Sequence, residues 1–310
     1  MEKRDKSEQN PTENKHSDNL SKLPKNPFRS QVSRLSHPSK TQNSTRLFDQ
    51  EPNKIPSKET RQPNTLQGSS LKSKFQKLWV KILANFYGNP IRDMKLILVT
   101  GASGKSVVAH FVHEILKTSG EHVAVLASDQ EIRAKTLHKF FSDAWKAGAN
   151  FVVVTAPSES IDKNVFFGLP IYLTAITDTE LSSAPTILST NSETSLITSI
   201  QDLLKTKPEI LVLNMDDKNN LKFSDFSGKE QTLTYGHDYK NTLRIEASKQ
   251  YKMGVEATFS IGSSYLTAAS FLTGEPITSY MACAAAISAS INISNQTITE
   301  GLANYDPEEK

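Results

Sequence analysis

Between residues 96 and 214, five short apolar runs alternate with stretches of helical period, and this alternation constrains the chain more than any other feature. The runs occupy 96–100, 122–128, 151–155, 171–177 and 210–214. Strands that are apolar nearly throughout, rather than at every second position, are covered on both faces. That requirement is met by a parallel sheet between two layers of helices. Between the first two runs, Val108, Phe111, Val112, Ile115 and Leu116 share one helical face, and Gly120 is a stop signal. The pattern predicts a three-layer α/β domain with a mostly parallel sheet over residues 92–305. Residues 231–272 ("TLTYG", "TLRIEA", "GVEATFSI") read as β and predict an antiparallel extension of that sheet. No internal repeat is visible.

The stretch "VTGASGKSV", residues 99–107, lies directly between the first strand and the first helix. A triphosphate held there needs inward-pointing backbone N–H groups, glycines that permit the curvature, a lysine for the outer phosphates and a hydroxyl for Mg²⁺. Gly101, Ala102, Ser103, Gly104, Lys105 and Ser106 supply all of these, which makes them the candidate phosphate loop, with ATP and Mg²⁺ as the implied cofactors and Ser106 as the metal contact. The general pattern carries a further glycine five residues before Gly104, where this chain has Val99. The competing reading is a tight strand-to-helix turn with a solvated lysine.

Residues 1–70 hold only ten residues of the apolar set, no alanine and seven of the fourteen prolines. So little apolar surface does not offset the entropy of ordering a chain, and the segment reads as a disordered basic tail. It carries 13 Lys and Arg against 8 Asp and Glu, so the basic character of the protein belongs to it. No aromatic or Arg cluster accompanies the charge, and specific nucleic-acid binding is not expected. The segment 71–91 opens with a basic amphipathic helix: Leu71, Phe75, Leu78, Trp79, Ile82, Leu83 and Phe86 form the stripe, with Lys72, Lys74, Lys77 and Lys81 between them. The expectation is that this stripe packs on the following domain; a membrane-surface helix is the alternative. No run reaches the length of a membrane span, and the start lacks an apolar signal segment, which predicts a cytoplasmic chain. A single cysteine, Cys283, excludes an internal disulfide framework and reads as a small core residue.

Read with its flanks, "NPIRDMKLILVTGASGKSVVAHFVHEILKTSG" resembles the entry to the central domain of the Mur ligases, whose signature is a strand followed by V-T-G-T-N-G-K-T. The pieces "FVVVTAPSES", "IYLTAITDTEL", "LVLNMDD", "TYG" and "LTGEPITSYMACAAAISASI" follow in the family's order, and the muramyl-tripeptide synthetase type is the nearest subgroup. The resemblance implies an ATP-dependent ligase that joins a carboxylate to an amine through an acyl phosphate, stabilised by two Mg²⁺ ions. It also implies departures. The family's metal-binding Glu corresponds to Thr155, and its Asp-His-Leu-Asp run to "TDTEL", with no His between Asp178 and Leu181. The modified Lys has no counterpart in "SSAPTILSTNSETS", and a family Arg corresponds to Val165. Two adenine-side Asn correspond to Ile277 and Tyr280. The third, amino-acid-binding domain would begin near Lys310, and the tail stands where the first domain is expected.

Other candidate chemistry is sparse. Asp216 and Asp217 follow a buried strand, as cation ligands or as a strand-end turn. Glu159 and Asp129 lie at strand C-termini, where open α/β sheets face ligands, or they cap helices. His110 and His113 straddle a buried helix face without a third ligand. Serines in "GSSYLTAAS" lack a base. Arg133, Lys135, His138 and Lys139 are the candidate basic lid of a kinase. Three functions remain open: a nucleotide-binding Mur-ligase-like protein with degenerate or reduced ligase chemistry, an active divergent amide ligase completed by a second polypeptide, and an unrelated phosphate-loop kinase or nucleotidase.

Overall fold

The structure, a computed structural model, describes residues 68–180, 186–226 and 231–307; of the disordered tail expected over 1–70, residues 1–67 lie outside the described residues and 68–70 already belong to the first helix. A nine-stranded sheet runs in the order β2-β3-β1-β4-β5-β6-β7-β8-β9. Its first five strands are β1 Lys95–Thr100, β2 Val123–Leu126, β3 Phe151–Thr155, β4 Ile171–Ile176 and β5 Ile210–Asn214. All of them pair in parallel, as their apolar continuity predicts. Then come β6 Gln231–Gly236, β7 Leu243–Tyr251, β8 Gly254–Ile261 and β9 Ser264–Ser270. Of these only β7, β8 and β9 form the antiparallel meander expected for 231–272; β6 lies parallel to β5 and its end is parallel to β7. Helical crossovers fix the parallel direction, and β6 still follows one, a 3₁₀ segment at Lys218–Phe226.

Alternate residues of β1 enter different cores. Ile97 and Val99 join one face with α2 Lys105–Thr118, α6 Ile277–Ser290 and α7 Asn295–Asn304, whereas Leu96 and Leu98 join the face covered by α3 Ala134–Lys146 and α4 Ser158–Asp162. α5 Thr186–Leu204 closes a third cluster beside β4 and β5. α2 ends as expected at Gly120, with φ of +86°: the Gly120 N–H bonds Lys117 O and the Glu121 N–H bonds Leu116 O, the paired bonds that stop a helix at a left-handed glycine. α6 is buried on nearly every side, from Met281 through Ser288, which explains its alanine-rich, non-amphipathic sequence.

The first helix, α1 Gly68–Phe86, departs from expectation. Val80 and Leu83 are buried, but Phe75, Leu78, Trp79, Ile82 and Phe86 are exposed. The helix meets α3 and sits on the domain through its narrower Val80–Leu83 side, leaving the stripe outside. Among the described residues no helix is long and apolar enough to cross a membrane.

α7 approaches α2 closely at Gly301, where an added Cβ would stand 2.4 Å from Ile115 Cα. A backbone obstacle cannot swing aside as a side chain does. Gly301→Ala is therefore expected to lower the unfolding free energy by about 1–3 kcal/mol, measured by urea denaturation.

Candidate functional site

The C-terminal ends of β1, β3 and β4 surround the Gly101–Ser106 turn. In sheets of this kind, ligands lie in the crevice where neighbouring crossovers diverge. Gly101, with φ of +140°, and Gly104, with φ of +73°, are both required here. A Cβ on Gly101 would lie 2.1 Å from Thr177 Oγ1, and one on Gly104 would lie 2.1 Å from the Tyr280 ring. Thus the loop is packed between the end of β4 and α6.

Asp178 fastens it. Its carbonyl accepts the Ala102 N–H at 2.7 Å, and its carboxylate accepts the Ser103 N–H at 2.8 Å and the Ser103 hydroxyl at 2.6 Å. Since Ser103 donates to Asp178, the Tyr280 hydroxyl, 2.9 Å away, donates to Ser103. Thr177 Oγ1 donates to Ser103 O at 2.7 Å. Burial pushes the Tyr280 phenol upward in pKa, keeping it the neutral donor this chain of bonds uses.

Lys105 is buried, and its ammonium donates to Gly101 O at 3.0 Å and Ala102 O at 3.2 Å. An ammonium has three donors, so one remains. Ser106 donates to Asp129 Oδ1 at 3.0 Å, and the same oxygen lies 4.0 Å from Lys105 Nζ. At the N-terminus of α2, Gly104 occupies the cap position in the left-handed conformation and no side chain caps the first turn. An uncapped helix start with an adjacent lysine is an electrostatically positive site.

The positions implied by the family's metal ligands are engaged in other bonds. Thr155 is fully buried; its hydroxyl donates to Ser128 O at 2.7 Å and accepts the Ser128 N–H at 2.8 Å, tying the ends of β2 and β3. Thr179, inside "TDTEL", directs both its N–H and its hydroxyl to Asp217 Oδ2, at 2.6 and 2.7 Å. Asp217 also accepts the Asn219 N–H, and Asp216 accepts the His237 N–H at 2.9 Å; these two acids hold strand-end turns. The missing lysine's segment falls partly outside the described residues.

Several other candidates stand apart from the loop. Ile277 is buried in the core, and of the adenine-side pair only Tyr280 touches the loop. Val165 is buried in the opposite core. Glu159 is reached by the neighbouring Ser158 hydroxyl. His110 stacks on Tyr305 and His113 meets Glu114. No group of three or more metal-ligating side chains occurs among the described residues. The basic lid is a helix: Lys135, His138 and Lys139 lie in α3, with Arg133 at its cap. His138 is buried against Phe141, its pKa lowered by desolvation, and Lys139 pairs with Asp143. A groove of about 850 Å³ lies beneath α1, lined by Lys77, Arg92, Asp162, Phe166 and Lys205 among others, and includes no loop residue.

The signature of the Mur ligase middle domain matches residues 99–288, more than half of the chain. The chain belongs to the Mur ligase family. Among similar proteins, the UDP-N-acetylmuramoyl-L-alanyl-D-glutamate–2,6-diaminopimelate ligase of Bacillus licheniformis is 27% identical over 239 residues, covering 70% of this chain and 48% of that protein. The ligase of that name from Listeria monocytogenes serotype 4b is 25% identical over 190 residues, 52% of this chain and 37% of its own. The chain thus spans less than half the length of either relative. A solved structure of a ligase of the same name aligns with a TM-score of 0.64 at 15% identity, covering 76% of this chain and 51% of that one. Folylpolyglutamate synthetase from Lactobacillus casei aligns with a TM-score of 0.53 at 14% identity, covering 76% and 71%. Both are likenesses of fold.

Two outcomes follow from the site. Asp178→Ala removes charge-assisted bonds to Ser103 and is expected to cost about 1.5–3 kcal/mol of stability in urea denaturation, with Asp178→Asn costing less. Burial pushes the Cys283 thiol up to about 12, so a disulfide reagent at pH 8 should label Cys283 only once denaturant unfolds the chain.

Proposed function

We propose that this Mur ligase family chain binds the phosphates of ATP at Gly101–Ser106 with one Mg²⁺, and that its ligase chemistry is reduced or lost. The observation that carries the reading is the uncapped first turn of α2, flanked by Lys105 and by the Ser106–Asp129 pair. Free N–H groups and a lysine are what a phosphate chain requires. Mg²⁺ is commonly held by one or two carboxylates together with substrate phosphates and water, and a hydroxyl beside an exposed carboxylate fits that set. Ser106 and Asp129 would hold the ion, which when bound offsets phosphate charge. Glu159 and Asp178 fit less well: Asp178 is engaged in fastening the loop.

A second metal has no such support, because Thr155 and Thr179 spend their hydroxyls on internal bonds. Loss of one charge-stabilising group costs about 10²- to 10³-fold in rate, so ligase turnover by this chain is expected to be near background. Contact with the base is also reduced, since Ile277 lies in the core.

Calorimetric titration with ATP and Mg²⁺ tests the reading. Binding should be lost in Lys105→Ala, lose its Mg²⁺ dependence in Asp129→Asn, and favour ATP over GTP by no more than about tenfold, or 1.4 kcal/mol. No amino-acid-dependent phosphate release is expected with muramyl-peptide precursors. Turnover abolished by Lys105→Ala would overturn the reduced-ligase reading in favour of an active ligase.

A further inference from the structure

We propose that the outward face of α1 is a docking surface for an anionic lipid bilayer. Five large apolar side chains lie there in one patch: Phe75 is 74% exposed, Trp79 55% and Phe86 80%, with Leu78 and Ile82 beside them. At 3.6 residues per turn, they fall within about 100° of the helix circumference. The helix has already met its packing needs on another side, through Val80 and Leu83, and Lys77 and Lys81 place their ammonium groups 4.8 and 5.7 Å from the centre of the Phe167 ring. Contiguous apolar patches of this kind mark surfaces that meet something else.

Charge selects the occupant. Residues 68–86 contain four lysines and no acidic residue, and the exposed Lys74 and Lys81 lie together along one edge of the apolar stripe. Aromatic and aliphatic side chains on one side with lysines on the other are the signature of a helix lying in a membrane interface, where lysine stems reach past the apolar zone to the headgroups. The asymmetry extends along the whole sequence: residues 1–86 hold 17 Lys and Arg against 8 Asp and Glu, and the remaining residues 19 against 25. An anionic surface therefore attracts the α1 end and repels the rest, which sets one orientation. A second copy of the chain is disfavoured on the same ground, because two such faces would bring their lysines together. The proposal does not depend on what the Gly101–Ser106 loop binds.

The test uses the full chain carrying Trp145→Phe, so that Trp79 is its only tryptophan. It is mixed with vesicles of phosphatidylcholine alone or with about one third phosphatidylglycerol, a composition that supplies the negative surface potential. The chain should sediment with the anionic vesicles and not the neutral ones, with a blue shift of Trp79 emission and loss of binding in about 0.5 M salt. Lys74→Glu with Lys81→Glu, and separately Phe75→Ser with Phe86→Ser, should each weaken partitioning by about tenfold or more. All four positions are exposed and only Lys81 gives up a contact, that with the Phe167 ring, so circular dichroism should be unchanged and the melting temperature of the lysine variant lowered only slightly. Absence of sedimentation, or an unshifted Trp79, overturns the proposal. So does undiminished binding by the Phe75→Ser, Phe86→Ser variant, which would assign the attraction to residues 1–67. A dimer in light scattering that this variant dissociates, without vesicle binding, would assign the face to self-association instead.

Discussion

One carboxylate, that of Asp178, governs the arrangement at the top of the sheet. It follows β4 directly, and from there it accepts both the N–H and the hydroxyl of Ser103 while its carbonyl takes the Ala102 N–H. β4 is one of the two hydrogen-bonded neighbours of β1, so a short loop is tied to a strand beside the one that enters it. Hydrogen bonds to an ionised acceptor are about twice as strong as neutral ones. The curvature of 101–104 is therefore held by the protein itself, and the glycines permit what Asp178 enforces. Lys105 adds the second tie, its ammonium spanning the Gly101 and Ala102 carbonyls.

Thr155, which the resemblance aligns with a metal-binding Glu, and Thr179, inside the His-less "TDTEL", have a consistent physical meaning. A threonine hydroxyl can donate and accept at once, and Thr155 does both with Ser128, while Thr179 directs two donors onto Asp217. Where the resemblance implies a side chain reaching for a cation, this chain has a buried cross-link between strand ends. Such a link satisfies polar groups that burial would otherwise leave costly, and it leaves the positive character of the loop and α2 without the acidic partners the resemblance implies. Besides Asp178, which fastens the loop, Asp129 on the β2 side also reaches it, through Ser106.

Much of this was legible in the sequence. Apolar continuity of the five runs marked the parallel strands because burial on both faces leaves no polar side. Gly120 marked the end of α2 because a left-handed residue is needed there. The direction of β6 was not legible: a strand's alternation reports which face is buried, not which neighbour it pairs with. Nor was the exposure of the α1 stripe, since periodicity gives the existence of an apolar face and not the object it meets. The site was legible as far as local sequence reaches, from Gly101 to Ser106. Its fastenings come from residues 75 and 177 positions away from Ser103, Asp178 and Tyr280, whose role a single sequence carries no periodic or spacing signal for.

Tyr280 has one further consequence. Its ring fills the space that a side chain at position 104 would take, and its hydroxyl joins the bonds around Ser103. Three residues further along α6, Cys283 lies buried against Tyr235, whose hydroxyl reaches the Thr177 carbonyl. The loop, the end of β4 and the middle of α6 thus form a closed mechanical circuit. A side chain at position 104 would have to displace α6, and α6 is packed on nearly every side. The rim of the crevice is in this sense continuous with the core beneath it.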